Sequence, residues 1–280
     1  MIRQITFVLF LFLALPCSSA VADSTVLHQV LQRVDQETSA APPPVVIFDI
    51  EGTLLDTRGR VQKILHDYAT AELTSVRPKA AERILAIKKE GVRGQLTETL
   101  AAAGVTEPAI INNAHSFWAE RYYSNDYLDF DTPTVGAAGF VRSLYARGAR
   151  IVYLSARDSE RQLVGTVQSL QQHGFPIGVH RTELIMRPTP QTSIHRFKRE
   201  TNVYLHKGGT VIAAFDNDPR NINYYSKAFS KALCVLHGPP PSLQAPKLHK
   251  GIYRVTDFRN GSSSPRSNEV ASIGRSPKKG

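Results

Sequence analysis

Two acidic residues follow apolar runs of the chain, at positions suited to phosphoryl chemistry. Asp49 follows the run 45–48, and Asp216 follows the run 211–215. A third run of this kind ends at Ser155. A carboxylate can attack phosphorus where a cation screens the repulsion between two anions. We therefore take Asp49 as a candidate nucleophile, Asp216 as a candidate cation ligand and Ser155 as a candidate donor to a phosphate oxygen.

Magnesium is the cation that this set of residues suits best. Mg²⁺ binds one or two carboxylates and keeps its other positions for water and substrate phosphate. Gly52, three residues after Asp49, permits a tight turn that exposes backbone groups. Lys198 is a candidate to balance the charge shared between Asp49 and a bound phosphoryl group. The nearby basic residues that compete for this role are Arg196, Arg199 and Lys207.

The elements that must position these residues are short apolar strands alternating with helical patterns. The four apolar runs are 45–48, 149–154, 211–215 and 233–236. Between them, apolar residues repeat at helical spacing, as at Leu163, Val164, Val167 and Leu170, at Ile194, Phe197, Thr201 and Tyr204, and at Ile222, Tyr225 and Phe229. This alternation predicts an α/β fold with a parallel sheet covered by helices on both faces. Sites in such sheets form beyond the carboxyl ends of the strands.

A stretch of about 70 residues interrupts the alternation soon after Asp49. Residues 58–130 contain several helical stripes and no strand run, which predicts an inserted helical domain. Because the insertion begins so close to Asp49, we expect it to cover the site as a lid.

The N-terminus predicts a cleaved signal peptide over residues 1–22. Arg3 precedes an apolar run from Ile5 to Leu15, and a small-x-small pattern at 20–22 precedes Asp23. The run is shorter than the ~20 residues that a membrane span needs. The sequence therefore predicts an exported protein, periplasmic or secreted, with no stable membrane span after cleavage.

The remaining flanks are expected to lie outside the catalytic core. Residues 23–44 predict a helix and a Pro-rich linker, and the basic tail 259–280 is expected to be disordered. If Cys17 leaves with the signal peptide, the mature chain keeps only Cys234, which we expect to be a buried thiol. The net charge of +10 attracts anions such as phosphate esters, nucleic acid or acidic lipid, or is merely a solvated basic surface.

With these motifs in order, the chain resembles the haloacid dehalogenase (HAD) superfamily from about Val45 to Phe258. The sequence Asp-Ile-Glu-Gly-Thr-Leu at 49–54 is similar to the family's first motif, Asp-x-Asp-Gly-Thr. The resemblance implies a Rossmann-like core over 45–57 and 131–258, with 58–130 as a C1-type helical cap. It implies Asp49 as the nucleophile and a phosphatase-like activity.

The resemblance also assigns the remaining site residues. Asp49, Asp216 and the main-chain carbonyl of Glu51 would be the Mg²⁺ ligands. Ser155 would be the second-motif hydroxyl and Lys198 the third-motif lysine. Predicted substrate-binding residues are Gly52, Thr53, Ser155, Ala156 and Arg157. Arg157 either faces the substrate or begins the next helix. Asp218, before Pro219, is predicted as a helix N-cap rather than a metal ligand.

Glu51 is the one departure from the family's first motif. The aspartate in that place usually protonates the leaving oxygen and then activates water. Glutamate can do the same work, although its carboxyl lies one methylene further from the backbone. The enolase-phosphatase branch of the superfamily also carries Asp-Ile-Glu-Gly-Thr, so the change does not exclude a phosphatase.

The sequence thus predicts an exported, Mg²⁺-dependent phosphohydrolase that cleaves small-molecule phosphomonoesters through an aspartyl-phosphate. One alternative is a catalytically weak protein of the same fold that binds polyanions; nucleic acid is a less favoured partner. Another is a different HAD hydrolase, such as a dehalogenase or a phosphonate-cleaving enzyme. The sequence contains no His-Glu-x-x-His, Gly-x-Gly-x-x-Gly or Gly-x-Ser-x-Gly pattern, which argues against zinc proteases, dinucleotide binding and serine hydrolases.

Overall fold

A computed structural model describes residues 19–37, 42–239, 241 and 244–259. Most of the predicted signal peptide, part of the Pro-rich linker and the predicted tail after residue 259 lie outside the described residues. Of residues 19–24 only the backbone is described.

The strands form one parallel sheet and one small antiparallel pair. In chain order they are β1 (Val45–Phe48), β2 (Leu55–Asp56), β3 (Thr132–Pro133), β4 (Arg150–Asp158), β5 (Thr182–Arg187), β6 (Val211–Asp216), β7 (Leu233–His237) and β8 (Tyr253–Val255). Six of them make a sheet in the order β5-β4-β1-β6-β7-β8, in which every neighbouring pair is parallel. The predicted parallel sheet is confirmed, whereas β5 and β8 were not predicted.

Nine α-helices lie within the described residues. They are α1 (Ser19–Glu37), α2 (Arg58–Tyr68), α3 (Pro78–Leu85), α4 (Leu96–Ala102), α5 (Pro108–Tyr122), α6 (Ala137–Ala146), α7 (Ser159–Gln172), α8 (Ile194–His206) and α9 (Pro219–Ala228). A π-helical segment, Ala69–Leu73, continues α2. None of the helices in the described part of the chain is both long enough and apolar enough to cross a membrane.

Helices cover both faces of the sheet, as the alternation of elements predicted. Val46 and Phe48 of β1 pack in one apolar cluster with α1 and α6. Val45 and Ile47 point to the opposite face and pack in a second cluster with α8 and α9. Because successive side chains of a strand alternate between faces, a strand covered on both sides must be apolar throughout. This explains the uninterrupted run at 45–48.

Helices α2 to α5 form the insertion and have an apolar cluster of their own. The connections into and out of the insertion meet as the antiparallel pair of β2 and β3, in which Leu55 faces Pro133 and Asp56 faces Thr132. The helical content predicted for 58–130 is therefore present, while its role as a lid stays a prediction.

Two helices exist as predicted but bury other residues than their apolar stripes indicated. In α7, Leu170 of the predicted stripe is buried, but Leu163 and Val164 are 45% and 59% exposed, and Thr166 is buried instead. Thr166 is turned inward because its hydroxyl accepts a hydrogen bond from Nη1 of Arg157 at 3.2 Å. The polar partner thus decides which face of α7 is buried.

The same difference occurs in α8. Ile194 and Tyr204 are 38% and 50% exposed, while Lys198, Asn202 and Leu205 form the buried face. Lys198 is buried because its ammonium group meets carboxylates at the end of the sheet, and the apolar stripe predicted for this helix did not indicate that.

Candidate active site

Asp49 and Asp216 lie side by side at the carboxyl edge of the sheet. Strands β1 and β6 are paired in parallel with Phe48 opposite Phe215, so the residue that follows each of these positions reaches the same edge. The backbone N–H of Asp49 donates to the carbonyl oxygen of Phe215 at 2.9 Å. Both carboxylates are buried, Asp49 with 4% and Asp216 with 0% of its surface exposed.

Lys198 connects the two carboxylates. Its Nζ donates to Oδ1 of Asp49 at 2.5 Å and to Oδ2 of Asp216 at 2.8 Å. Lys198 itself is only 2% exposed. The structure therefore brings together three residues that are separated in sequence by up to 167 positions.

The second oxygen of each carboxylate is also hydrogen-bonded. The Thr53 hydroxyl donates to Oδ2 of Asp49 at 3.1 Å. Oδ1 of Asp216 accepts from the backbone N–H of Asp218 at 2.9 Å and from Nδ2 of Asn221 at 3.2 Å. Asp218 is the N-cap of α9, as predicted, because its own carboxylate accepts from the backbone N–H of Arg220. These contacts fix the orientation of both candidate catalytic carboxylates.

Burial and charge perturb the titration of this group. The pKa of Asp49 is raised to about 7: burial is the largest cause, Lys198 opposes it, and the charge of Asp216 adds to the rise. Burial opposes the charge of Lys198, yet Asp216 and Asp49 hold its pKa well above the usual value. One ammonium group thus faces two carboxylates, and the cluster keeps an excess of negative charge.

That excess charge and the oxygen donors fit a hard cation. The described residues contain no group of three or more His, Cys, Asp or Glu side chains that would hold a metal ion alone. Mg²⁺ does not require such a group, because one or two carboxylates, substrate phosphate and water complete its octahedron. Asp49 and Asp216 are the side chains that would hold it, and the main-chain carbonyl of Glu51 stays a predicted third ligand.

The predicted phosphate-binding residues reach the same edge of the sheet. Ser155 lies on β4, which pairs with β1, and its hydroxyl accepts from the backbone N–H of Arg157 at 3.1 Å. Ala156, between them, is half-buried. Gly52 has φ of +75°, and a Cβ there would lie 2.2 Å from Nδ2 of Asn217. Only glycine fits that turn without displacing Asn217.

A cluster of two arginines and two carboxylates adjoins the site and was not predicted. Arg60, on α2 of the insertion, donates to Glu51 and, through Nε, to Oδ1 of Asp131 at 2.9 Å. Arg157, at the end of β4, donates to Oε1 of Glu51 at 3.1 Å and to Oδ2 of Asp131 at 2.5 Å. The side chains of Arg60, Arg157 and Asp131 are fully buried. Their charges balance with that of Glu51.

This cluster holds Glu51 as a carboxylate. Burial favours the neutral acid, but Arg60 and Arg157 together lower the pKa of Glu51 to about 2. The general-acid role predicted for Glu51 therefore requires its carboxyl to leave both arginines. That role stays a prediction.

Arg157 lies next to the site, with its guanidinium bound to protein groups. Its Nε, Nη1 and Nη2 donate to Glu51, Thr166 and Asp131 respectively. In this arrangement it supports Glu51, and the predicted contact with substrate stays a prediction. Sequence patterns gave no sign of the cluster, since Arg60 and Asp131 are 71 residues apart.

A cavity of about 1180 Å³ lies between the insertion and this edge of the sheet. Gly52, Asn217 and His237 line it from the sheet, and Val61, Trp118 and Tyr122 line it from the insertion. Nδ1 of His237 lies 2.7 Å from the carbonyl oxygen of Gly52. The cavity thus adjoins the turn that follows Asp49.

Comparison with known proteins gives remote structural matches only. No family model and no curated protein matches the chain. Among solved structures, the class C acid phosphatase from Bacillus anthracis has a TM-score of 0.39 and 12% identity, and the match covers 72% of this chain and 66% of that one. A HAD-superfamily hydrolase, subfamily IA, from Geobacter sulfurreducens PCA has a TM-score of 0.44 and 13% identity, covering 77% and 93%. A haloacid dehalogenase-like family hydrolase from Streptococcus pneumoniae has a TM-score of 0.43 and 10% identity, covering 78% and 90%.

Two of these three neighbours are described as hydrolases of the haloacid dehalogenase type, and one as an acid phosphatase. At these identities and TM-scores the matches carry no argument about this chain, and the case for its chemistry depends on its own residues.

Proposed function

We propose that this protein is a Mg²⁺-dependent phosphohydrolase that cleaves phosphomonoesters, with Asp49 as the nucleophile. One observation carries the proposal: Nζ of Lys198 lies within hydrogen-bond distance of both Asp49 and Asp216 at the buried edge of the sheet. A nucleophilic carboxylate, a second carboxylate and a cationic donor are the groups that phosphoryl transfer to an aspartate needs.

In the first step, an oxygen of Asp49 attacks phosphorus in line, and the bond between phosphorus and the alcohol oxygen breaks. The leaving oxygen takes the proton of a Glu51 carboxyl that has moved away from Arg60 and Arg157. The Thr53 hydroxyl, which donates to Oδ2 of Asp49, orients the carboxylate. Lys198 balances negative charge that spreads over Asp49 and the phosphoryl oxygens. Mg²⁺, when held by Asp49 and Asp216, supplies the positive charge that screens the incoming phosphate.

In the second step, water attacks phosphorus of the aspartyl-phosphate, and the bond from phosphorus to the Asp49 oxygen breaks. Phosphate and the free carboxylate result. Glu51 is the candidate to accept the proton of this water, while its carboxylate is away from Arg60 and Arg157. The negative charge of Glu51, which Arg60 and Arg157 neutralise in this structure, would then face the reacting group.

The proposal also includes export, on the basis of the N-terminal sequence pattern. An exported enzyme of this kind would act on small-molecule phosphomonoesters outside the cytoplasm. The net charge of +10 is compatible with anionic substrates.

The test is release of inorganic phosphate from a panel of phosphomonoesters, with Mg²⁺ and with a chelator. We expect turnover that requires Mg²⁺ and falls by at least about 10³-fold in Asp49→Asn, since the covalent route is then closed. Asp35→Asn is the matched control, because it removes a carboxylate of α1 that is 49% exposed and pairs with Arg147. Its activity should equal that of the unmodified chain.

Absence of turnover from folded protein with Mg²⁺ present would reject the proposal. Tight binding of polyanions that weakens with salt would then favour the binding-protein alternative. Equal activity of Asp49→Asn and the unmodified chain would reject Asp49 as the nucleophile.

A further inference from the structure

The cavity between the insertion and the sheet has an aromatic wall. The rings of Trp118 and Tyr122, on successive turns of α5, are stacked with centroids 4.6 Å apart and planes 29° apart. Tyr123 meets Trp118 edge to face at 5.7 Å. Trp118 and Tyr122 both line the cavity. A further flat ring can therefore extend an existing aromatic stack at little ordering cost.

Arg60 covers the face of the Tyr122 ring that Trp118 leaves free, so a further ring can join the stack only at Trp118. The guanidinium of Arg60 lies 4.2 Å from the centroid of the Tyr122 ring, and Nη1 of Arg60 donates to the Tyr122 carbonyl at 2.9 Å. The same arginine binds Glu51 and Asp131. The aromatic wall is thus fixed relative to the turn after Asp49.

Apolar side chains of the insertion surround the wall. Val92 and Leu96 are only 7% and 8% exposed, and both line the cavity beside Val61. This part of the cavity is suited to a flat apolar group.

The charged residues of the cavity favour an anionic ligand. Asp56 already binds Arg58 and Lys89, at 2.8 Å and 3.1 Å. Arg93 also lines the cavity, and its guanidinium has no acidic partner among the described residues. With three cations against two carboxylates, Asp56 and Asp257, the lining carries an excess of positive charge.

We propose that this cavity binds the alcohol part of phosphomonoesters in which that part carries an aromatic or heteroaromatic ring. The ring packs on the indole of Trp118, at the end of its stack with Tyr122, while the phosphate lies at Asp49; this orientation rests on the proposed function. The volume of about 1180 Å³ exceeds the roughly 300–1,000 Å³ of typical small-molecule sites, so it holds a ring together with further groups.

The first test uses Trp118 as its own reporter, since it is the single Trp of the chain. Phenyl phosphate and glycerol phosphate are titrated into the purified Asp49→Asn chain with Mg²⁺, and tryptophan fluorescence is recorded. We expect phenyl phosphate to change the fluorescence and to bind about 2- to 10-fold more tightly than glycerol phosphate, the range that ring stacking supplies. No fluorescence change, or equal affinities, would overturn the proposal.

The second test is kinetic and uses variants of the same helix. Trp118→Leu should raise KM for phenyl phosphate by about 2- to 10-fold and leave KM for glycerol phosphate unchanged. Phe117→Leu is the control, because Phe117 packs on Tyr68 at 5.5 Å, away from this cavity. An equal rise in KM for both esters in Trp118→Leu would contradict the role of the wall.

The two proposals can fail separately. If the chain binds phenyl phosphate by fluorescence but releases no phosphate, the ring site stands and the phosphohydrolase function fails. If both esters are hydrolysed at equal kcat/KM and neither changes the fluorescence, the function stands and the ring site fails.

Discussion

Arg60, on the first helix of the insertion, donates a hydrogen bond to Oε1 of Glu51 in the turn that follows β1. This contact joins the insertion to the second residue after the candidate nucleophile. Asp131, where the chain returns to the core, binds the same arginine at 2.8 Å through its Oδ2. A movement of α2 relative to the sheet must therefore either break the ion pair between Arg60 and Glu51 or move Glu51 together with the helix.

The first prediction concerns this buried arginine. Arg60→Gln leaves Asp131 fully buried with one cationic partner fewer, and breaking a buried ion pair costs about 3–5 kcal/mol. We expect the free energy of unfolding, measured by urea denaturation, to fall by about that amount. Arg58→Gln is the control: its partner Asp56 is near the surface, and such pairs contribute about 0–1 kcal/mol. Equal losses in the two variants would contradict a special role for Arg60.

The second prediction concerns Lys198 and magnesium. Lys198→Met leaves Asp49 and Asp216 adjacent and buried without their shared cation, which destabilises the fold by mutual repulsion. Mg²⁺ restores the balance, so we expect it to raise the melting temperature more in Lys198→Met than in the unmodified chain. The measurement is thermal unfolding with Mg²⁺ and with chelator. Lys207→Met, at the exposed end of α8, is the control and should respond to Mg²⁺ as the unmodified chain does. If Mg²⁺ raises the melting temperature of Lys198→Met no more than that of the unmodified chain, this would argue against a cation at the two carboxylates.

The third prediction concerns the turn at Gly52. Gly52→Ala places a Cβ 2.2 Å from Nδ2 of Asn217 and strains a backbone with φ of +75°. The left-handed backbone alone costs an L-residue about 1–2 kcal/mol, and moving Asn217 adds to that. We expect both a lower melting temperature and slower phosphate release. Gly91→Ala is the matched control, since nothing lies within 4 Å of a Cβ there; a stable, fully active Gly52→Ala would show that the turn relaxes freely.

The fourth prediction concerns Cys234 and tests export as well. Burial raises the pKa of the Cys234 thiol to about 12, so at pH 8 the folded protein holds it almost wholly protonated and unreactive. A thiol reagent should therefore label the folded, exported protein slowly and the protein in denaturant rapidly. One labelled thiol per chain in denaturant is expected if Cys17 has left with the signal peptide, and two if it has not. Rapid labelling of Cys234 without denaturant would contradict its burial.

The sequence predicted those strands that helices cover on both faces. β1, β4, β6 and β7 are runs of apolar residues because both sides of each are buried. β5 and β8 lie at the two edges of the sheet, and their residues are largely half-buried or exposed. No uninterrupted apolar run marks such a strand, so it was not predicted.

Candidate site residues were picked out where they directly follow an apolar run, and less well elsewhere. Asp49, Ser155 and Asp216 became candidates because each directly follows an apolar run of the sequence. Three other basic residues lie near Lys198 in the sequence. Only the orientation of α8 in the structure shows that Lys198 is the one whose ammonium group is buried at the site. Arg60 and Asp131 were missed, because long-range pairing of opposite charges leaves no periodic signal in a sequence.

The short antiparallel pair of β2 and β3 has a consequence for how such a protein can diversify. Because Asp56 faces Thr132, the chain leaves the core for the insertion and returns to it at two neighbouring positions. A different helical domain could therefore replace the insertion between these two positions without changing the path of the chain through the core. The graft would have to bring an arginine in the place of Arg60, since Glu51 and Asp131 would otherwise keep only Arg157 as a counterion.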